Sequence, residues 1–191
     1  MGMLLARSLT RRGVATSAAL DDLVRGAYQI LEPQLDVPSK AGDWFTVDQE
    51  RIDAFGAAIR DEQWIHCDPE RARRESPFGG TIAHGNLILC MAPYLPRPEI
   101  EGDIPGLPPL PGLERGLNYG WNKVRFPAPV RSGARIRVSR TLRELKQIPP
   151  DALHIVTQLT VEVEGSDKPC CVAETAGRAI FAVTSSAADA A

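Results

Sequence analysis

What the sequence lacks narrows it first. Among its 191 residues no apolar run approaches the roughly 18 needed for a membrane-spanning helix, and the longest, over 87–92, is half a buried helix. Neither charge dominates: 22 Lys and Arg stand against 24 Asp and Glu, a net charge of −2. The basic excess required for a nucleic acid or an anionic membrane is missing, so neither is an expected partner. The four cysteines, Cys67, Cys90, Cys170 and Cys171, show no Cys-x-x-Cys spacing. Adjacent Cys170 and Cys171 would point to opposite faces of a strand, so no zinc site is indicated and free thiols are expected. Phosphate-loop glycine patterns and a serine nucleophile elbow are absent too.

What remains is a chain with 43% hydrophobic residues and a length suited to one domain. Residues 1–20 carry Arg7, Arg11 and Arg12, several hydroxyl side chains and no acid. That pattern fits an organelle presequence or a disordered extension, so the location expected is mitochondrial if it is cleaved and cytoplasmic otherwise. The folded domain is expected over 21–184, with a frayed tail over 185–191.

Apolar spacing predicts a helix over 20–31 ended by Pro33, and a short strand near Trp44–Phe45. Thr46 and Gln49 suggest a capping box before a helix buried through Ile52, Phe55 and Ile59. Residues 60–80 are polar and broken by Pro and Gly, a loop or interrupted helix; residues 81–95 read as a helix apolar nearly all round. A Pro- and Gly-rich excursion over 96–116 follows. Period-two alternation then predicts strands over 117–126, around 136–143, over 153–164 and over 170–183. The fold class expected is α+β, an antiparallel sheet curled around one buried helix.

Chemistry concentrates before that helix. Asp61 and His66, five residues apart in an irregular segment, can converge on one water, one accepting a proton while the other positions or donates. Trp64 and Ile65 between them turn this loop partly inward. The run from Phe78 to Asn86 brings glycines to the start of the buried helix, where first-turn N–H groups bind an anion or a polarised carbonyl. Gly85 is the candidate oxyanion donor, or simply a site of close packing. An acid/base pair beside such a donor suits adding or removing water across a double bond conjugated to a carbonyl. Of the other histidines, His154 falls on the polar side of a strand as a surface residue, and His84 is assigned a structural role.

The segments DEQWIHCDPERARRESPFGGTIAHGNL and LNYGWNKVRFPAPV, in that order, resemble the MaoC-like (R)-specific enoyl-CoA hydratases, particularly their nodulation protein N-like branch. The resemblance covers about residues 43–182. It implies a hot-dog fold, a homodimer, and hydration of trans-2-enoyl-CoA to (R)-3-hydroxyacyl-CoA with no metal or redox cofactor. Asp61 and His66 match the catalytic pair, and Gly85 the glycine whose N–H contacts the thioester carbonyl. Gln63 stands where many relatives have Asn, Trp64 where they have Pro, and Pro93 where some have Ser. Gln63, Gly80, Asn86 and Asn118 are the candidate substrate contacts. Arg71, Arg73 and Arg74 are candidates for coenzyme A phosphates or a solvated face. The expected substrate is a thioester of coenzyme A or of acyl-carrier protein. Rival readings are a hot-dog thioesterase, separable by thiol release, and a non-catalytic acyl-thioester-binding subunit, separable by binding without turnover.

Overall fold

A computed structural model describes residues 17–95, 104 and 106–183 of the chain. Most of the presequence-like segment, much of the Pro-rich excursion and the expected frayed tail lie outside the described residues.

Helix α1 (Ser17–Leu31) buries Val24, Ala27 and Leu31, the three- and four-residue spacing of one helical face. It starts three residues before the expected 20 and yields at Pro33 to a 3-10 turn. Strand β1 (Phe45–Val47) leads into α2 (Gln49–Ile59), whose buried positions Ile52 and Gly56 are four apart. The cap is not the expected Thr46–Gln49 box. Asp48 caps instead, its Oδ1 accepting from Arg51 N–H at 2.9 Å, because Asp48 immediately precedes the first helical residue.

The segment over 60–80, expected as a loop or an interrupted helix, contains two short helices, α3 (Trp64–Cys67) and α4 (Pro69–Glu75). Asp68 and Pro69 start the second: the carboxylate accepts from Arg71 N–H at 2.9 Å and proline occupies the first helical position. The helix expected over 81–95 is shorter. It begins only at Gly85, as α5 (Gly85–Met91), and ends in a 3-10 turn, Ala92–Tyr94. Residues before it are extended because Ile82 pairs with Arg131 and Ala83 N–H bonds Val130 O at 2.8 Å, which draws them into the sheet margin.

Strands β2 (Leu113–Arg125), β3 (Ala134–Ile148), β4 (Ala152–Val163) and β5 (Cys171–Phe181) complete one antiparallel sheet of order β1-β3-β4-β5-β2. β2 begins four residues before the expected 117, inside the Pro-rich excursion. The sheet curls around α5 as in a hot-dog fold. Its inward face holds two apolar groups. Ile136, Val138, Leu159, Val161 and Ala173 pack under α5 residues Leu87 and Ile88, together with Ile52 of α2. Leu142, Leu153, Ile155, Ala179 and Phe181 pack under α1. Each fully buried aliphatic side chain here contributes about 1.5–3 kcal/mol. His154 is half-buried rather than solvated, because the Tyr119 ring meets it edge-on at 6.0 Å and Arg178 is its cross-strand neighbour.

Candidate functional site

The site is assembled where α2 turns into α3. Arg60 closes α2 in the left-handed region at φ 61°, reversing the chain, and Asp61 N–H then bonds Gly56 O at 3.0 Å. Gly56 permits this corner: a Cβ there would lie 2.9 Å from Cys67 Sγ and 3.0 Å from Asp61 O. Glycine is required for space, at an ordinary helical backbone angle.

His66, on α3, is fixed from two sides. Its Nδ1 donates to Ile82 O at 2.7 Å, and its own carbonyl accepts from Gln49 Nε2 at 2.7 Å. Gln49 Oε1 in turn accepts from the Thr81 hydroxyl at 2.5 Å, and Ile82 N–H bonds Ile65 O at 3.1 Å. The segment entering α5 is therefore tied to the helix that carries His66. A histidine donating from Nδ1 keeps a lone pair on Nε2 when neutral.

His84 packs against this imidazole. The two rings stack with centroids 3.8 Å apart, Phe55 meets His84 edge-on at 5.3 Å, and His84 is 3% exposed. Its Nε2 donates to Asp61 O at 2.8 Å, which leaves Nδ1 buried with no hydrogen-bond partner among the described residues. The Asp61 carboxylate lies 4.0 Å from His84 Nε2 and accepts from Gln63 Nε2 at 2.9 Å. One donor or acceptor atom each of Asp61, His66 and His84 fall within 4.8 Å of one another, a spacing that a metal ion or a water could share. Two of the four imidazole nitrogens are directed at backbone carbonyls, which competes with metal ligation.

The remaining candidates are dispersed. Gly85 opens α5, so its N–H has no acceptor within the helix. A Cβ on it would lie 3.0 Å from the Phe126 ring, so close packing by itself calls for glycine there. Gly80 has open space around it, and Asn86 is exposed on the first turn of α5. Asn118 lies in β2, where its Oδ1 accepts from Gly120 N–H at 3.2 Å. It lines a different space, a cavity of about 490 Å³ bounded also by Cys90, Pro93, Trp121, Arg140 and Thr157. Arg71 is engaged locally, with Glu75 at 2.8 Å and over the Trp64 ring at 4.6 Å, while Arg73 and Arg74 are exposed.

Cys67 neighbours the site without the character of a nucleophile. Its burial, reinforced by the Asp53 carboxylate, pushes the thiol above its ordinary pKa of 9.0, which disfavours the thiolate. Gln49, Gly56 and the stacking role of His84 are not apparent from sequence. Gln49 looks like a capping residue, and its contacts at His66 and Thr81 are 17 and 32 residues away.

Residues 32–164 match the MaoC like domain. The chain is 44% identical over 132 residues to 3-hydroxyacyl-thioester dehydratase Z of Mycobacterium tuberculosis, across 69% of this chain and 82% of that protein. It is 41% identical over 144 residues to nodulation protein N of Rhizobium leguminosarum bv. viciae, across 72% and 85% respectively. Among solved structures it resembles a MaoC-like dehydratase from Rhodospirillum rubrum, with a TM-score of 0.60 and 20% identity over 81% of this chain and 99% of that one. R-hydratase PhaJ1 from Pseudomonas aeruginosa gives a TM-score of 0.55 at 20% identity, over 78% and 83%. This chain belongs to the MaoC-like dehydratase family.

Proposed function

We propose that this protein hydrates trans-2-enoyl-CoA, or the equivalent acyl-carrier-protein thioester, to the (R)-3-hydroxyacyl thioester, and catalyses the reverse dehydration. The observation that carries the reading is the proximity of Asp61 and His66, one ligating atom of each lying within 4.8 Å of the other. Ile82 O holds the Nδ1 proton of His66, so Nε2 carries the lone pair, and the Asp61 carboxylate lies close by with one oxygen held by Gln63. A water donating to both acceptors points its own lone pair at the β-carbon. As its oxygen bonds to that carbon, the π electrons move to the thioester oxygen and one proton passes to the pair. The N–H of Gly85 receives the developing enolate charge. Collapse of the enolate returns that proton to the α-carbon, so the net change is addition of water.

The reaction draws on no metal or redox cofactor in this reading. Because Asp61, His66 and His84 have a spacing that a cation could use, chelation tests the point directly. Prolonged EDTA treatment leaves the rate unchanged; loss restored by a divalent metal would replace proton transfer by metal-assisted hydration.

A homodimer is also proposed. β2 is an edge strand, and Leu117 and Tyr119 on it, with nearby Phe126, are among the exposed large hydrophobic residues. An unpaired edge bearing apolar side chains fits pairing with a second copy.

The decisive experiment follows crotonyl-CoA at the absorbance of its conjugated enoyl group, with stereochemical analysis of the product. Absorbance loss with the (R)-alcohol formed is expected. Release of free thiol instead indicates a thioesterase, and tight acyl-CoA binding without turnover across chain lengths indicates a binding subunit.

A further inference from the structure

Helix α3 carries His66 yet has little of its own to hold it. It is one turn long, well short of a helix that persists unaided, Gln63 gives it no side-chain cap, and none of its residues is fully buried. So short a helix also leaves its last carbonyls without partners inside it. Two of them find partners on other elements. Ile65 O accepts from Ile82 N–H at 3.1 Å, and His66 O accepts from Gln49 Nε2 at 2.7 Å.

Gln49 is presented to His66 by α2, of which it is the first residue. Its carboxamide is bonded on both sides. Nε2 donates also to Asp53 Oδ1 at 2.8 Å, so both of its protons are used, and Oε1 accepts from the Thr81 hydroxyl at 2.5 Å. The partners dictate which way the amide faces. A main-chain carbonyl and a carboxylate only accept, so nitrogen must face them, and the oxygen is left for Thr81.

Thr81 is in turn anchored. It is 4% exposed, its carbonyl accepts from Ser132 N–H at 3.0 Å, and Ala83 N–H bonds Val130 O at 2.8 Å, which seats this extended segment on the sheet margin. Gly85, the proposed oxyanion donor, follows four residues later. One carboxamide therefore joins the helix that carries the proposed base to the segment that leads to the proposed donor. The other ties between these two pieces, Ile82 N–H to Ile65 O and His66 Nδ1 to Ile82 O, meet at the single residue Ile82. A second anchor is what keeps a one-turn helix from pivoting about the first.

We propose that Gln49 and Thr81 are positioning residues for the hydration, which together set the His66 imidazole against the Gly85 amide without touching substrate. The assignment rests on the hydratase reading above. Its test compares Gln49→Met, Thr81→Val and their double variant, near-isosteric changes that remove the tie, with Thr81→Ser, which keeps the hydroxyl. On crotonyl-CoA, kcat falls at least about tenfold in each of the first three, because small misplacements of reacting groups are costly. Calorimetric affinity for the saturated butyryl-CoA stays at the wild-type value, since no binding contact is lost. The double variant is no slower than the slower single one, and Thr81→Ser regains most of the rate. An unchanged kcat in folded Gln49→Met, additive losses in the double variant, or a Thr81→Ser variant as slow as Thr81→Val overturns the proposal. Where Gln49→Met does not fold, the two threonine variants decide.

A second readout needs no turnover. The Nδ1 proton that His66 donates to Ile82 O is followed by NMR in protein carrying isotopically labelled histidine, its signal assigned by its loss in His66→Ala. Release of α3 speeds exchange of this proton with water in Gln49→Met and Thr81→Val. Exchange at the wild-type rate in both overturns the positioning claim even where the wild type hydrates crotonyl-CoA. Faster exchange in a protein that hydrates no enoyl-CoA leaves the positioning standing and removes the reaction.

Discussion

The imidazole of His84 stacks on that of His66 with centroids 3.8 Å apart and planes inclined by 27°, while its Nε2 holds the main-chain oxygen of Asp61 at 2.8 Å. One buried ring therefore supports both members of the proposed acid/base pair, one through its face and one through its edge.

Removing that support should disturb the pair without touching substrate. His84→Ala leaves a void beneath His66 and frees the Asp61 carbonyl, a destabilisation of about 2–3 kcal/mol. A lower Tm is expected together with a fall in kcat larger than any rise in KM. Unchanged kcat in a folded variant would show that the stack is only packing.

Asp61 and His66 are both surface-accessible enough to be replaced without collapse. Asp61→Asn and His66→Ala should each lower kcat by at least about two orders of magnitude on crotonyl-CoA while the circular dichroism spectrum stays native. Retention of the wild-type rate in Asp61→Asn would remove it from the base's role.

The sheet was legible in the sequence because one buried face imposes period two: Ile136, Val138, Leu153, Ile155, Leu159 and Val161 are all buried as alternation requires. That Asp61 and His66 converge was expected from their spacing in an irregular segment that resembles a known family, and one ligating atom of each does lie within 4.8 Å of the other. The start of α5 was not, since Thr81, Ile82 and Ala83 suit a helix and only pairing with Val130 and Arg131, almost fifty residues on, keeps them extended. Arg140 was hidden for a related reason. It shares the parity of Ile136 and Val138, yet at its inward position it donates to the carbonyls of Ala92 and Pro93, a contact that local pattern does not encode.

The paired thiols at the start of β5 make a prediction about alkaline stability. Burial, with the neighbouring Cys171 adding to it, pushes Cys170 from 9.0 to about 12, and burial pushes Cys171 to about 11. In the unfolded chain these thiols ionise near 9.0, so between there and their folded values the native state binds the extra protons. Stability is therefore whole below 9.0 and falls as pH rises, by at most about 1.4 kcal/mol per pH unit for each thiol. Urea midpoints measured from neutral to alkaline pH should decline more steeply for wild type than for Cys170→Ala/Cys171→Ala. Parallel slopes would show that the thiols are not the source.

Gly56 offers a test of the site's geometry through a residue that contacts no substrate. Alanine has the better helical propensity by about 1 kcal/mol. Its Cβ would nevertheless lie 2.9 Å from Cys67 Sγ and 3.0 Å from Asp61 O, one a side-chain tip and the other main chain. Overpacking of this kind costs about 1–3 kcal/mol, so the clash outweighs the propensity. Gly56→Ala should lower Tm and reduce kcat by displacing the Asp61 carbonyl and, through it, His84. Adding Cys67→Ala removes the sulfur contact and restores part of the stability, whereas activity stays low because the main-chain contact persists. Recovery of activity along with stability would place the coupling at the thiol instead of at Asp61.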